Sequence, residues 1–166
     1  MPRPLGPQAS IAISDSRVYV GVGDSSRLLA YSLDAAQQST VPLQVQRRTP
    51  SRAMHDASIQ RSLSMVPLPA RGRASQMAAT VPLRDQMPTH GDIFADPTGT
   101  LWITTTFPGD PATRLLAVDQ NGRTLGSLTL PRNIAVHEVG RDYVIGLYSD
   151  EDELPHIVVY RFRRGE

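Results

Sequence analysis

Residues 93–130 constrain the fold of this chain more than any other stretch. They contain four strand-like runs rich in Leu, Thr, Ile and Val, and each break between the runs holds turn residues such as Gly, Pro, Asp or Asn. Aliphatic and β-branched runs are typical of strands, and these turn residues mark where strands end. The stretch therefore predicts one complete four-stranded antiparallel meander.

Parts of this pattern recur in the first third of the chain. The tetrapeptide Arg-Leu-Leu-Ala occupies residues 27–30 and again residues 114–117, each time after a turn that contains Gly and Asp. The order of strands and turns around the two copies is the same, and compositional bias does not preserve turn spacing. We interpret the similarity as an internal repeat in which each unit is one meander.

A third, shorter copy follows the second. Residues 134–136 echo residues 11–13, and residues 143–148 match residues 18–22 with a glycine at the same place. One further alternating run, residues 156–163, gives this copy three strands instead of four. The predicted fold class is all-β: antiparallel four-stranded meanders that form a partial β-propeller of about three blades, with one helical or loop insertion.

The copies divide the chain into five parts. The predicted parts are a flexible N-terminal arm (1–9), a first blade (10–45), a helix/loop insertion or degenerate blade (46–91), a second blade (92–131) and a third, incomplete blade (132–166). Within the insertion, residues 50–63 are the helical candidate, because Pro50 suits a first helical turn and a broken apolar stripe follows. Residues 71–88 are predicted as loop. A degenerate blade is the alternative, since the insertion has the length of a missing repeat.

Composition excludes several classes of function. The net charge of +1 does not favour nucleic acid as a partner. No run reaches the roughly 20 apolar residues of a membrane span, and the N-terminal residues lack the apolar core of a signal peptide. Without cysteine, the chain has no disulfide and no thiolate zinc site. These observations leave the compartment open.

Several C-terminal segments resemble the C-terminal region of a group of bacterial six-bladed β-propeller proteins, which are distantly similar to NHL-repeat propellers. The segments are residues 96–102, 118–123, 130–131, 142–147 and 158–161. The resemblance implies a last full blade followed by a closing blade, and it implies no activity for named residues. The chain is about half as long as a six-bladed propeller needs, and full-length relatives could be exported proteins.

The histidines give the candidate ligand-binding site. No two of the four are spaced as metal ligands usually are, so we predict no metal site, no cofactor and no catalytic residue. His90 and Asp92 flank Gly91 just before the first strand of the second blade. In propellers such positions lie near the mouth of the central channel, so His90 and Asp92 are the predicted ligand-binding residues. A plain turn role is the competing interpretation.

Other acidic motifs have simpler explanations. Residues 96–99 and 119–122 both read Asp-x-x-Gly, in which the carboxylate opens a turn and the glycine supplies a positive φ angle. The acidic run at residues 149–153 is predicted to be a solvated loop between two strands. Trp102 is predicted to lie on the second strand of its meander and to pack against a neighbouring blade.

The sequence favours a non-catalytic binding or scaffold module, a fragment or half-ring of a propeller, whose ligand or protein partner is unknown. The alternative is a propeller enzyme, such as a metal-dependent lactonase or a lyase, with its site at the channel mouth. A fragment with no independent role is a third interpretation. The innermost strands are mostly apolar, which favours binding. Because about three blades leave two outer faces open, we expect the chain either to form a homodimer that completes the ring or to be only marginally folded alone. A cover formed by residues 46–91 is the alternative. An unpaired strand edge after residues 156–163 is also expected.

Overall fold

The computed structural model describes residues 5–14, 16–107, 109–132, 134–150, 152 and 154–165. These residues form three antiparallel β-sheets and two helices. Residues 1–4 of the predicted arm, the turn residue Asp15, the start of the third copy at Asn133, and Glu151 and Glu153 of the acidic run lie outside the described residues.

Each sheet is a meander, because its hydrogen-bonded neighbours are consecutive in sequence. Sheet 1 consists of β1 (Ala9–Ile13), β2 (Arg17–Val22), β3 (Arg27–Ser32) and β4 (Gln38–Pro42). Sheet 2 consists of β5 (Ile93–Ala95), β6 (Leu101–Thr104), β7 (Thr113–Val118) and β8 (Thr124–Leu130). Sheet 3 consists of β9 (Ile134–Val139), β10 (Tyr143–Ser149) and β11 (Pro155–Arg161). The prediction of an all-β chain built from antiparallel meanders is confirmed. Within the described residues, the outer edge of β11 has no pairing strand.

Two helices lie between sheets 1 and 2. Helix α1 (Arg52–Ser64) begins after Ser51, whose Oγ accepts a hydrogen bond from the Met54 backbone N–H, as an N-cap should. Helix α2 (Leu68–Ala79) occupies the first half of the stretch predicted as loop, so that prediction was wrong for residues 71–79 and is correct for residues 80–88. All residues between Pro42 and Ile93 are described, and none of them belongs to a strand. Neither described helix has the length and apolar character needed to cross a membrane.

Sheet 1 packs against one face of sheet 2. The buried apolar residues of this junction are Ala12, Tyr19, Leu28, Ala30, Val41 and Leu43 on one side and Ile93, Leu101, Ile103 and Val118 on the other. Successive side chains of a strand point to opposite faces, so Trp102, between Leu101 and Ile103, turns away from sheet 1.

The other face of sheet 2 packs against sheet 3. The buried residues here are Trp102, Leu115, Ala117 and Leu130 from sheet 2 with Ile134, Val139 and Val144 from sheet 3. Only 5% of Trp102 is exposed, and it lies on the second strand of its meander. Trp102 therefore lies on the second strand of its meander, as predicted, and packs against the neighbouring sheet 3. Sheet 2 is the middle layer of a three-sheet stack.

Both outer faces of this stack are apolar and open. On sheet 1, Ile11 and Ile13 are 62% and 66% exposed, and on sheet 3, Ile157 and Val159 are 76% and 59% exposed. These exposures are found with α1 and α2 in place, so the helices cover neither face. The two open faces expected from the sequence are therefore present in the described part of the chain.

The two glycines matched between the first and third copies lie on opposite faces of their sheets. Gly21 belongs to the face of sheet 1 that packs on sheet 2, because a Cβ on Gly21 would lie 2.5 Å from Ile93 Cδ1. Gly146 lies on the same face as buried Val144, which points back toward sheet 2 rather than onward. A shift of one residue exchanges the two faces of a strand. The two glycines therefore have different roles in the stack.

Candidate functional site

The chain enters sheet 2 through a buried strap, which we define as residues 87–91. The Thr89 N–H donates to the Gly23 carbonyl at 2.6 Å, and Thr89 Oγ1 donates to the Ser25 carbonyl at 2.7 Å. The Gly91 N–H donates to the Thr104 carbonyl at 2.8 Å. The strap is thus bonded to a turn of sheet 1 and to the end of β6 in sheet 2.

His90 lies inside the strap and not at an open surface. Its side chain is buried, and its Nδ1 lies 2.9 Å from the Gly91 carbonyl oxygen. The ring fits beside Gly21, where an added Cβ would come within 2.6 Å of His90 Cε1. Its Nε2 is buried without a hydrogen-bond partner among the described residues. His90 therefore fills the junction of sheets 1 and 2.

Asp92 has a different environment from His90. Its side chain is exposed, while its backbone carbonyl accepts a hydrogen bond from the Thr104 N–H at 2.8 Å. No hydrogen bond joins Asp92 to His90 in the described part of the chain. The two predicted ligand-binding residues therefore have different surroundings, and only Asp92 is accessible to a ligand.

A cleft of about 620 Å³ opens next to the strap. It lies between the segment that follows β4 and the loop that joins β6 to β7. Its lining includes Gln44, Gln46, Arg48, Thr89, Thr105, Phe107, Asp110 and Arg114. The cleft shares Thr89 with the strap, so the sequence prediction pointed to the neighbourhood of this cleft but not to its charged residues.

An ion pair closes one side of the cleft. The guanidinium of Arg48 donates two hydrogen bonds of 2.7 Å to the carboxylate of Asp110, and the Phe107 N–H donates to the same carboxylate at 3.0 Å. Arg48 also stacks 5.7 Å from the centre of the Phe107 ring. Hydrogen bonding from Arg48 lowers the pKa of Asp110, so its carboxylate stays ionised at neutral pH.

The charges of the cleft favour ligand binding over proton transfer. Arg114 is exposed, and its guanidinium makes no hydrogen bond within the described residues. Arg48 and Arg114 outnumber the one carboxylate of the cleft, so an acidic or polar group of a ligand would be attracted to Arg114. Asp110 is ionised and already bonded, which does not suit a general acid or base. Among the described residues, no group of three His, Asp or Glu is arranged to hold a metal ion.

Sheet 3 is fastened to sheet 2 by a second polar cluster, the clasp, which consists of Asp96, Trp102, Phe162 and Arg164. The buried carboxylate of Asp96 accepts a hydrogen bond of 2.8 Å from Trp102 Nε1 and forms an ion pair with Arg164. The Arg164 guanidinium lies 5.9 Å from the ring centres of both Trp102 and Phe162. The clasp therefore joins the segment after β11 to the first turn of sheet 2.

Asp96 also has the turn role that the sequence predicts. Its carboxylate accepts hydrogen bonds from the backbone N–H groups of Thr98 and Thr100, at 2.8 and 3.2 Å. Gly99 has the positive φ of +82° that such a turn requires. Asp119 makes the same kind of turn with Gly122, so both turn predictions are confirmed.

The clasp should make stability sensitive to acid. Burial acts to raise the pKa of Asp96, but hydrogen bonds from Thr98, Trp102 and Arg164 together hold it below its usual value. Because the folded pKa is the lower one, the stabilising contribution is complete above the unfolded value of about 3.9 and is lost as pH falls through the folded value.

We expect the free energy of unfolding of the wild type to fall more steeply than that of Asp96→Asn between about pH 5 and pH 2. Urea unfolding followed by circular dichroism at several pH values measures this difference. Asp92→Asn is the matched control, because Asp92 is exposed, and its pH profile should follow the wild type. Parallel profiles for wild type and Asp96→Asn would contradict the role given to the clasp.

A comparison of the chain with models of known protein families found no match, and a comparison with curated proteins found no significant match. The function proposed for this chain is therefore argued from its geometry alone.

Proposed function

We propose that this chain is a non-catalytic binding and scaffold module built as half of a six-bladed β-propeller. Three stacked meanders support this proposal, as does the contact of β5 with both β1 and β9. In a propeller the first strands of successive blades lie side by side around the central axis. The arrangement of β1, β5 and β9 agrees with that geometry.

One observation carries the scaffold role: an isoleucine on the first strand of each meander is buried in sheets 2 and 3 but exposed in sheet 1. Ile93 and Ile134 are 3% and 6% exposed, whereas Ile11 is 62% exposed. A contiguous apolar face of this kind seldom remains in water in a soluble protein. A second copy of the chain would cover both outer faces and supply the three sheets that a six-bladed ring still needs.

Binding, and not catalysis, is the function that the polar groups support. The carboxylates of Asp96 and Asp110 are occupied by ion pairs and backbone N–H groups, and both have a lowered pKa. Asp92 and the cleft beside Thr89 offer the accessible polar surface near the start of sheet 2. The exposed Arg114 of the cleft would attract an acidic group of an unknown protein or small ligand, whereas Asp92 would attract a cation or a hydrogen-bond donor.

Light scattering coupled to gel filtration tests the scaffold proposal. We expect the wild type to have twice the 18.1 kDa mass of one chain at micromolar concentration. The double variant Ile11→Glu/Ile13→Glu places two charges on the open face of sheet 1 and should give the mass of one chain.

Leu125→Glu is the control for that experiment. Leu125 is a similarly exposed apolar strand residue, but it lies in β8 of the middle sheet. Its variant should keep the mass of the wild type. A compact wild-type monomer that melts cooperatively would refute the half-ring proposal.

A further inference from the structure

Helices α1 and α2 enclose a groove that lies outside the three sheets. Its volume is about 400 Å³. Its lining is mainly apolar and includes Met65, Val66, Ala70, Arg73, Ala74 and Met77. The four of these that belong to α2 follow the i, i+3, i+4, i+7 spacing of one helix face. Helix α2 therefore turns a single stripe of side chains toward the groove.

The floor of the groove is exposed, and its shape is fixed by hydrogen bonds. Met65 and Met77 are 74% and 54% exposed. Arg71 Nη2 donates to the carbonyls of Ser64 and Val66, at 3.4 and 3.3 Å, which ties α2 to the turn that follows α1. A groove held in this way needs little reordering when a partner binds, and this favours affinity.

The groove lies in a strongly basic part of the chain. Residues 46–84 contain seven arginines and one acidic residue, Asp56, although the net charge of the whole chain is only +1. Arg73 lines the groove, and Arg61 precedes Met65 by about one helical turn on the same side of α1. Both arginines are exposed, and neither guanidinium has a hydrogen bond or an ion pair among the described residues. The complementary partner is therefore acidic.

The shape and chemistry of the groove favour one kind of acidic partner. Methionine side chains are flexible and polarisable, and they are common in grooves that bind amphipathic helices of varied sequence. A flat bilayer does not fill a concave floor, and residues 46–91 contain no aromatic side chain to anchor the chain in a membrane surface. A small molecule would remain largely in water between walls this exposed, unlike a ligand in a deep pocket.

We propose that this groove binds an acidic amphipathic helix of a partner protein. The apolar face of that helix lies on Met65 and Met77, and its carboxylates pair with Arg61 and Arg73. The site is separate from the half-ring, because its lining comes from residues outside the three sheets. It is also separate from the cleft beside the strap, with which it shares no lining residue.

Two labelled peptides test the sign of the charge. Each has about 18 residues, with Leu at i, i+3, i+4, i+7 spacing; the remaining positions are Glu and Gln in one peptide and Lys and Gln in the other. Because methionine adapts to varied sequences, such a generic helix is a fair probe. Fluorescence anisotropy with the full chain should show the Glu peptide binding at least about tenfold more tightly, with a difference that shrinks as salt is added.

Charge reversal locates the binding site. Arg61→Glu/Arg73→Glu should bind the Glu peptide at least about tenfold more weakly and should bind the Lys peptide more tightly than the wild type does. The gained affinity cannot come from a misfolded chain. Arg123→Glu/Arg132→Glu is the control, because it changes the net charge equally at two exposed arginines that flank β8. It should keep the wild-type preference.

A second pair of variants tests the apolar floor. Met65→Gln/Met77→Gln keeps the side-chain length and should weaken binding of the Glu peptide by about tenfold without changing its salt dependence. The control is Leu33→Gln/Leu125→Gln, at positions 60% and 55% exposed in sheets 1 and 2, and it should bind as the wild type does.

Three results would overturn the proposal. The first is equal affinity of the wild type for the two peptides, or no binding of the Glu peptide at about 1 mM protein. The second is binding of the Glu peptide that the arginine and methionine variants leave unchanged. The third is binding to vesicles of phosphatidylglycerol and phosphatidylcholine, lost in Arg61→Glu/Arg73→Glu, by a chain that does not bind the Glu peptide. That result would assign the groove to a membrane surface instead.

Discussion

Trp102→Ala is expected to lower the free energy of unfolding by about 3–5 kcal/mol, the usual cost of removing a large buried ring. The ring lies at the junction of sheets 2 and 3 and makes an edge-to-face contact with Phe162, with centres 5.2 Å apart. Its Nε1 also donates to the buried Asp96 carboxylate. The substitution would leave a cavity and would remove one of the donors that compensate a buried charge.

Trp102→Phe separates these two effects. Phenylalanine keeps most of the ring volume but lacks the N–H donor, so we expect a smaller loss of about 1–2 kcal/mol. Urea unfolding followed by circular dichroism measures both variants, because the substitutions remove the only tryptophan. An alanine variant within 1 kcal/mol of the wild type would show that this junction does not hold sheets 2 and 3 together.

Gly122→Ala is expected to be the most damaging small substitution in the chain. A Cβ at this position would lie 1.9 Å from the Pro42 carbonyl oxygen, and the backbone φ is +82°. The obstacle is backbone and not a flexible side chain, so the β7–β8 turn would have to move away from the end of β4. We expect a loss of at least about 3 kcal/mol from strain and disrupted contact, or failure to fold.

Gly99→Ala is the matched control. Gly99 has the same φ of +82° and lies in the same kind of Asp-x-x-Gly turn, but an added Cβ would meet only Gln120 Nε2, at 3.3 Å. We expect it to cost about 1 kcal/mol, which is the typical cost of the strained conformation alone. Thermal unfolding of the two variants gives the difference, and equal losses would contradict a role for Gly122 in joining sheets 1 and 2.

The meanders could be predicted from the sequence because strand alternation and turn chemistry are local signals. Residues 27–30 and 114–117 occupy equivalent places in β3 and β7, as the repeat indicates. Helix α2 was missed because only Ala78 of the helix is buried and Gly72 interrupts it, so no clear apolar stripe marks it. The face on which Gly146 lies could not be predicted, because spacing alone does not reveal the register of a strand, and β9 and β10 change register between Ile145 and Gly146.

The site could be predicted only in part. The positions of His90 and Asp92 led to the strap, but burial of His90 depends on how residues 87–91 pack between two sheets. Arg48 and Asp110 are 62 residues apart, and Arg164 lies 68 residues from Asp96. Ion pairs of this kind have no sequence signature, because the fold alone decides which side chains meet.

A second copy of the chain is expected to cover the open apolar faces of sheets 1 and 3. The dependence of the melting temperature on protein concentration tests it most directly, because association stabilises the folded state by mass action. We predict that the melting temperature of the wild type rises over a hundredfold increase in concentration, while that of Ile13→Glu stays constant. A wild-type melting temperature that does not change with concentration, together with the mass of a single chain throughout, would contradict the claim.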